Sequence, residues 1–224
     1  GAAPEASIAM VKLKPAKNYL KEFFAIAQDA VCYQENDIML GLRYLNDLAR
    51  KQGMPLVICV ALGTSFGGHN GDSLLADILD IYATVRNRCV VVGTGNEAAR
   101  RHHYFNRFTD AQDMRTAEIR VGEGTQSFAV ELWSTLPNIV MVSVTSPSGE
   151  RTGMIPIRLG YLFDFSFTFE RTTITVEYRL LQRNNDAQLV FIRFQNAVPG
   201  IWKIDIKPAM QTTGAVSYTH LRAH

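Results

Sequence analysis

Two uninterrupted apolar runs constrain the fold of this chain more than any other feature. The first occupies residues 55–62 (Pro-Leu-Val-Ile-Cys-Val-Ala-Leu) and the second residues 89–93 (Cys-Val-Val-Val-Gly). Neither run alternates apolar with polar residues, a pattern typical of parallel strands that are covered on both faces. Residues 72–87 lie between them and have the spacing of a helix, capped by Asp72 or Ser73. The sequence therefore predicts a right-handed strand–helix–strand unit.

Further elements of the same kind precede this unit. An apolar run at residues 7–12 predicts a strand. A helix is expected from about Asn36, with Asp37 in its first turn, to a stop at Gly53. The first half of the chain is thus predicted to be α/β, with a parallel sheet and flanking helices.

The pattern changes after about residue 112, where short segments alternate with period two and turn residues separate them. The alternation is strongest at residues 163–169, where every second residue is Phe. We interpret these rings as core rather than as a ligand platform. The predicted strands are residues 117–121, 127–133, 139–144, 163–169, 173–181, 188–194 and 200–206. Such a series, with no helix among it, favours an antiparallel sandwich or jelly roll.

We therefore expect a partial α/β domain at residues 1–112 and an all-β jelly-roll insertion at residues 113–214. Residues 215–224 change character abruptly and resemble the translation of a sequencing adapter. We exclude them from the fold as a non-native scar; a natural C-terminal tail is the alternative. Both ends of the chain look cut, so we expect an internal piece of a longer protein.

Composition excludes several classes of function. Lys and Arg number 23 against 21 Asp and Glu, which is not the clustered positive charge of a nucleic-acid-binding protein. No apolar run approaches the roughly 20 residues of a membrane span. The three cysteines are widely spaced and predict neither a disulfide framework nor a zinc site. Neighbouring His102 and His103 cannot easily share one ion, and His69 adds no recognisable ligand spacing, so we predict no metal and no cofactor.

The candidate site lies where the two apolar runs end, because ligands of parallel sheets bind beyond the carboxyl ends of the strands. Arg100 and Arg101 lie nearby and are interpreted as solvated charges. Gly63-Thr64-Ser65 is interpreted as part of a loop, not as a nucleophile, because no helix of small residues follows it. The predicted site residues are Asn96, with a side-chain amide, and a backbone set consisting of Ala61, Leu62, Gly63, Gly93, Thr94 and Gly95.

These segments resemble the subtilases, the subtilisin-like serine proteases. In that family, strands ending in Ser-Leu-Gly and Ala-Ala-Gly-Asn form the two sides of the substrate channel; here the matching segments are Ala61-Leu62-Gly63 and Gly93-Thr94-Gly95-Asn96. The similarity is greater to the clostridial germination-type (Csp-like) subtilases, on residues 11–16, 30–39, 95–104 and several segments after residue 128. The resemblance covers residues 1–214. It departs from the family pattern at Ala61, Gly93 and Thr94.

The resemblance implies a serine endopeptidase with a jelly-roll insertion, acting on peptide or protein substrates through an acyl-enzyme. Asn96 would be the oxyanion donor. The family's Asp, His and Ser motifs are absent, so the triad would lie outside this chain and the chain alone would be inactive. The same branch includes inactive signalling pseudoproteases, and an independent carbohydrate-binding β module is a third reading. Family analogy suggests a spore or secreted setting, while the sequence leaves the oligomeric state open.

Overall fold

The fold is described from a computed structural model, which describes residues 3–68, 70–96, 100–110, 112–181 and 186–209, and the backbone alone of residues 214–220. The chain forms two compact units. The first contains residues 1–17, 31–63 and 71–95, and the second contains residues 18–30, 64–70 and 96–224. The predicted boundary at residue 112 therefore lies inside the second unit.

The helices are α1 (Asn18–Phe23), α2 (Glu35–Gln52) and α3 (Leu74–Thr84). The strands are β1 (Leu56–Val60), β2 (Arg88–Val92), β3 (His103–Phe108), β4 (Arg115–Val121), β5 (Ser127–Thr135), β6 (Val140–Thr145), β7 (Leu162–Ser166), β8 (Thr173–Leu181), β9 (Ala187–Gln195), β10 (Gly200–Pro208) and β11 (Gly214–His220). No helix among the described residues is both long and apolar enough to cross a bilayer.

The first unit is built around the predicted strand–helix–strand segment. Strands β1 and β2 pair in parallel, and α3 connects them. Ser73 caps α3 by accepting a hydrogen bond from the Ala76 backbone N–H at 3.1 Å, as its side-chain chemistry predicts. Gly53 ends α2 in the left-handed conformation with a φ of 66°. Leu42, Ile58 and Val60 form the buried centre of this unit.

The prediction that both faces of this sheet are covered is wrong for one face. Ile58 and Val60 are buried, but Val57 is 69% exposed and Val91 is 49% exposed. Residues on one strand alternate between faces, so the exposed side chains share the face opposite the core. The apolar runs thus correctly predicted two parallel strands, but within the described residues only one face of the pair is packed.

The strand predicted at residues 7–12 is also absent. This segment carries no regular secondary structure, and Ile8 and Met10 are both 87% exposed. A strand needs a hydrogen-bonded neighbour, and no described strand pairs with this segment. A parallel sheet of more than two strands is therefore not seen in the described part of the chain.

The second unit is a sandwich of a three-stranded sheet, in the order β4-β10-β6, and a six-stranded sheet, in the order β3-β11-β5-β9-β8-β7. All of its strand pairs are antiparallel. Its core draws on both sheets and includes the fully buried Trp202, Phe128 and Phe194. Gln188 on β9 joins the sheets: its amide accepts from the Val140 N–H at 2.7 Å and donates to the Val140 carbonyl at 3.1 Å.

Two strands of this unit fall outside the predicted series. Strand β3 lies in the region expected to be α/β, and β11 lies in the segment excluded as a scar. Residues 221–224 of that segment are outside the described residues, and its non-native origin stays a prediction. The aromatic alternation at residues 163–169 gives a shorter strand, β7; Phe167 is buried, whereas Phe169 is 79% exposed.

Candidate functional site

The candidate site begins at the carboxyl ends of β1 and β2. Val60 is aligned with Val92 in the parallel pair. One further hydrogen bond extends the ladder, with the Gly93 N–H donating to the Val60 carbonyl at 3.1 Å. Residues 61–63 and residues 93–95 therefore leave the same edge of the sheet from neighbouring strands.

The backbone of both segments is open. All six predicted backbone residues, Ala61 to Gly63 and Gly93 to Gly95, are exposed. An added Cβ at Gly63 would meet nothing within 4 Å, and one at Gly93 would lie 3.8 Å from the Val60 carbonyl oxygen, an ordinary contact. Packing within the unit therefore does not require glycine at either position. Because glycine has no Cβ, there is free space above the backbone.

Gly95 is the exception, because its conformation demands glycine. Its φ is +79°, in the left-handed region that residues with a Cβ rarely adopt. A left-handed residue therefore lies directly before Asn96 in the chain. Asn96 is exposed and is grouped with the second unit. Glu97, which completes the Gly-Asn-Glu motif, lies outside the described residues.

Among the described residues, no second centre is seen at the other positions considered from the sequence. In the 63–65 segment, Thr64 Oγ1 accepts a hydrogen bond from the Phe66 N–H at 3.1 Å, which is a loop-stabilising role. His103 opens strand β3, and His69 is outside the described residues. Arg100 and Arg101 are exposed, as expected. No cluster of three or more His, Cys, Asp or Glu side chains suited to a metal ion occurs among the described residues.

Sequence reasoning missed one buried acidic residue, which contacts the loop that follows residues 61–63. Glu131 on β5 is only 6% exposed, and its Oε2 atom accepts hydrogen bonds from the Gly67 N–H at 2.8 Å and from Trp133 Nε1 at 3.0 Å. Gly67 lies four residues beyond Gly63. The available signal was a lone acidic residue between Val130 and Leu132 inside an apolar strand, where a carboxylate needs hydrogen-bond donors.

Comparison with known proteins identifies a structural relative. No protein-family model matches the chain, and no curated protein sequence matches it. Among solved structures, the chain is similar to the CspB protease of Clostridium perfringens, with a TM-score of 0.76 and 22% identity. The match covers 87% of this chain but only 42% of that protein. The chain therefore shares its fold with part of that protein.

Proposed function

We propose that this chain is the substrate-binding part of a subtilisin-like serine endopeptidase, which hydrolyses peptide bonds through an acyl-enzyme. The observation that carries the proposal is the pair of exposed backbone segments, 61–63 and 93–95, at one edge of a parallel strand pair. The likeness to the CspB protease supports it at the level of the fold. The Asp, His and Ser of the triad belong to parts of the protein outside this chain.

The two segments suit an extended polypeptide. Exposed backbone N–H and C=O groups can pair with a peptide strand, which gives affinity that does not depend on the peptide's sequence. The open space above Gly63 and Gly93 lets that peptide approach the backbone closely. In this role Ala61, Leu62 and Gly63 line one side of the substrate, and Gly93, Thr94 and Gly95 line the other.

Asn96 supplies the chemistry that this part of the protein contributes. The attack of serine on a peptide carbonyl places negative charge on the carbonyl oxygen, and an amide N–H held in place stabilises that charge. The left-handed turn at Gly95 directs the residue that follows it. A donor fixed in this way costs little reorganisation when the charge develops, so it favours the transition state over the bound substrate.

The proposal is tested with the full-length protein. We expect it to hydrolyse casein and short peptides, and we expect a serine-directed sulfonyl fluoride to abolish that activity. Hydrolysis that persists after complete reaction with the inhibitor would contradict the serine mechanism. Peptide binding without hydrolysis would contradict the enzyme and favour the second candidate, a signalling pseudoprotease.

The location follows from the same family analogy. We propose a peptide or protein substrate, met in a spore-associated or secreted setting. The β-sandwich is proposed to be the jelly-roll insertion of the family rather than a separate carbohydrate-binding module. Three of its aromatic side chains support this, because Trp202, Phe128 and Phe167 are buried in its core and unavailable to stack on sugars.

A further inference from the structure

The outer face of the three-stranded sheet carries a row of charged and hydroxyl side chains. Lys203 lies on this face, because its neighbours along β10, Trp202 and Ile204, are buried in the core. Residues directly opposite one another in paired strands share a face. The row formed in this way consists of Glu118 on β4, Lys203 on β10, Thr145 on β6 and Arg151, which pairs with Thr145 in an isolated bridge. These side chains therefore project from the same surface of the sandwich.

The residues of this row line one cavity. Its volume is about 540 Å³, within the range of about 300–1,000 Å³ that is typical of small-molecule sites. Apolar surface lies beside the charged row, because Pro147 and Ile201 also line the cavity. The cavity is thus suited to a small ligand that has a charged part and an apolar part.

The charges of the cavity leave one positive charge in excess. Lys203 Nζ lies 3.1 Å from Glu118 Oε1, so these two charges largely offset one another. Arg151 is exposed, and no ion pair with it is seen among the described residues. One excess positive charge favours a ligand with one negative charge, and a guanidinium matches the two oxygens of a carboxylate. A phosphate group, with a charge of about −1.5 to −2, suits this balance less well.

Thr145 contributes a hydroxyl group that the sandwich itself does not use. The residue is 6% exposed, and its Oγ1 atom has no hydrogen-bond partner among the described residues. A buried hydroxyl without a partner costs free energy. In the row, Thr145 stands between Lys203 and Arg151. Because a threonine hydroxyl reorients by rotation about the Cα–Cβ bond, it can donate to an anion held between the two cations.

We propose that this cavity binds a carboxylate, with Arg151 as its principal partner. Arg151 binds both carboxylate oxygens, Lys203 adds positive charge, and the Thr145 hydroxyl donates to one of the oxygens. Ile201 and Pro147 contact the apolar part of the ligand. The carboxylate belongs to a small organic acid or to the end of a peptide, which share this chemistry. All of these residues lie in the second unit, so the proposal does not depend on the peptide-binding edge or on the proposed function.

Isothermal titration calorimetry of the full-length protein tests the proposal with N-acetylated trialanine as the probe. We expect the form with a free terminal carboxylate to bind with a Kd below about 1 mM, and its terminal amide to bind at least about tenfold more weakly. Sodium acetate distinguishes the two sources. Acetate that binds about as tightly as the tripeptide indicates a small acid, and much weaker binding of acetate indicates a peptide end. Inorganic phosphate that binds more tightly than acetate would contradict a site for one negative charge.

Three substitutions in the row test the part of each side chain. Arg151→Gln should lower the affinity for the tripeptide acid about tenfold, because the charged partner of the carboxylate is lost. Glu118→Gln should raise the affinity, because it removes the charge that offsets Lys203. Thr145→Val should lower the affinity without a fall in thermal midpoint, because the hydroxyl has no partner among the described residues before the ligand binds. A threonine with a purely structural role would leave the affinity unchanged when replaced.

Arg158→Gln is the matched control. Arg158 is another exposed arginine of the same unit, and it does not line the cavity. This variant should bind the tripeptide acid as the wild type does. An unchanged affinity in Arg151→Gln would place the carboxylate elsewhere and overturn the proposal. Equal losses in the two arginine variants, equal binding of the acid and the amide, or no binding of the acid at millimolar concentration would overturn it as well.

Discussion

Two neighbouring residues at the end of β2 have separate parts in the proposed chemistry. Asn96 supplies the amide, and Gly95 supplies the turn that precedes it. Replacing Asn96 with Ala should lower kcat about 10²- to 10³-fold, because one oxyanion donor is lost, while KM changes little. Steady-state kinetics of the full-length protein measure both parameters.

The control for that substitution is Asn46 of α2, which contacts the other end of strand β2. Asn46 Oδ1 accepts from Arg88 Nε at 3.1 Å, and Arg88 is the first residue of β2. Asn46→Ala removes an identical amide without touching the proposed site, so kcat should stay near the wild-type value. Equal losses in the two variants would show that stability, not oxyanion stabilisation, explains the effect.

Gly95 can be tested against Gly93 with the same substitution. Gly95→Ala forces a Cβ onto a residue with a φ of +79°, which should lower the free energy of unfolding by about 1 kcal/mol. Gly93→Ala places its Cβ at an ordinary contact distance and lacks the positive φ, so its effect should be smaller. Urea unfolding of both variants measures the difference. A larger loss at Gly93 would contradict the strained turn.

At the scale of elements, β6 and β8 are joined by a buried phenol. Tyr178 Oη donates to the Ile155 carbonyl at 3.0 Å and accepts from the Val142 N–H at 3.2 Å. Burial raises the pKa of Tyr178 from 10.0 to about 12. The folded chain therefore holds this proton more tightly than the unfolded chain, so the stabilisation is complete below pH 10 and is lost as the pH rises towards 12.

The free energy of unfolding should consequently fall between pH 10 and pH 12, and Tyr178→Phe should remove that part of the pH dependence. The variant should also be less stable at neutral pH, because the Val142 N–H loses its buried acceptor. Denaturant titrations at several pH values give both quantities. If the free energy of unfolding of the variant fell as steeply between pH 10 and pH 12 as that of the wild type, another group would be titrating in this range.

The elements also show what a sequence can and cannot predict. Strands β1 and β2 were predictable because their side chains are apolar throughout, and the cap at Ser73 because its hydroxyl suits a helix start. The packing on their outer face was not predictable, because an apolar run does not indicate which neighbouring element packs on it. Strand β3 was not predicted, and its hydrogen-bonded neighbour β11 lies in the segment that was excluded from the fold.

The candidate site divides in the same way. Residues 61–63 and 93–96 are proposed from the rule that ligands bind beyond parallel strand ends, and their role stays a prediction. The hydrogen bond between Glu131 and Gly67 could not be predicted, because the two residues are 64 positions apart and only the fold brings them together. Long-range hydrogen bonds of this kind leave no local pattern in a single sequence.

At the scale of the whole molecule, the match covers only 42% of the CspB protease, so the activity of a whole protease is a proposal for this chain. We expect the 224-residue chain alone to hydrolyse no peptide, because the proposal assigns the nucleophile and the base to family motifs that this sequence does not contain. Peptidase assays of the chain beside the full-length protein check this. Inhibitor-sensitive hydrolysis by the chain alone would mean that it contains a nucleophile of its own, with Ser65 the first to test.

The central claim is that an extended peptide lies between residues 61–63 and residues 93–95. The most direct measurement is a crystal structure of the full-length protein bound to a peptide-derived serine protease inhibitor. We predict backbone hydrogen bonds from the peptide to both segments, and the Asn96 amide about 3 Å from the oxygen of the reacting carbonyl. A peptide bound elsewhere, or an Asn96 amide turned away from that oxygen, would contradict the account.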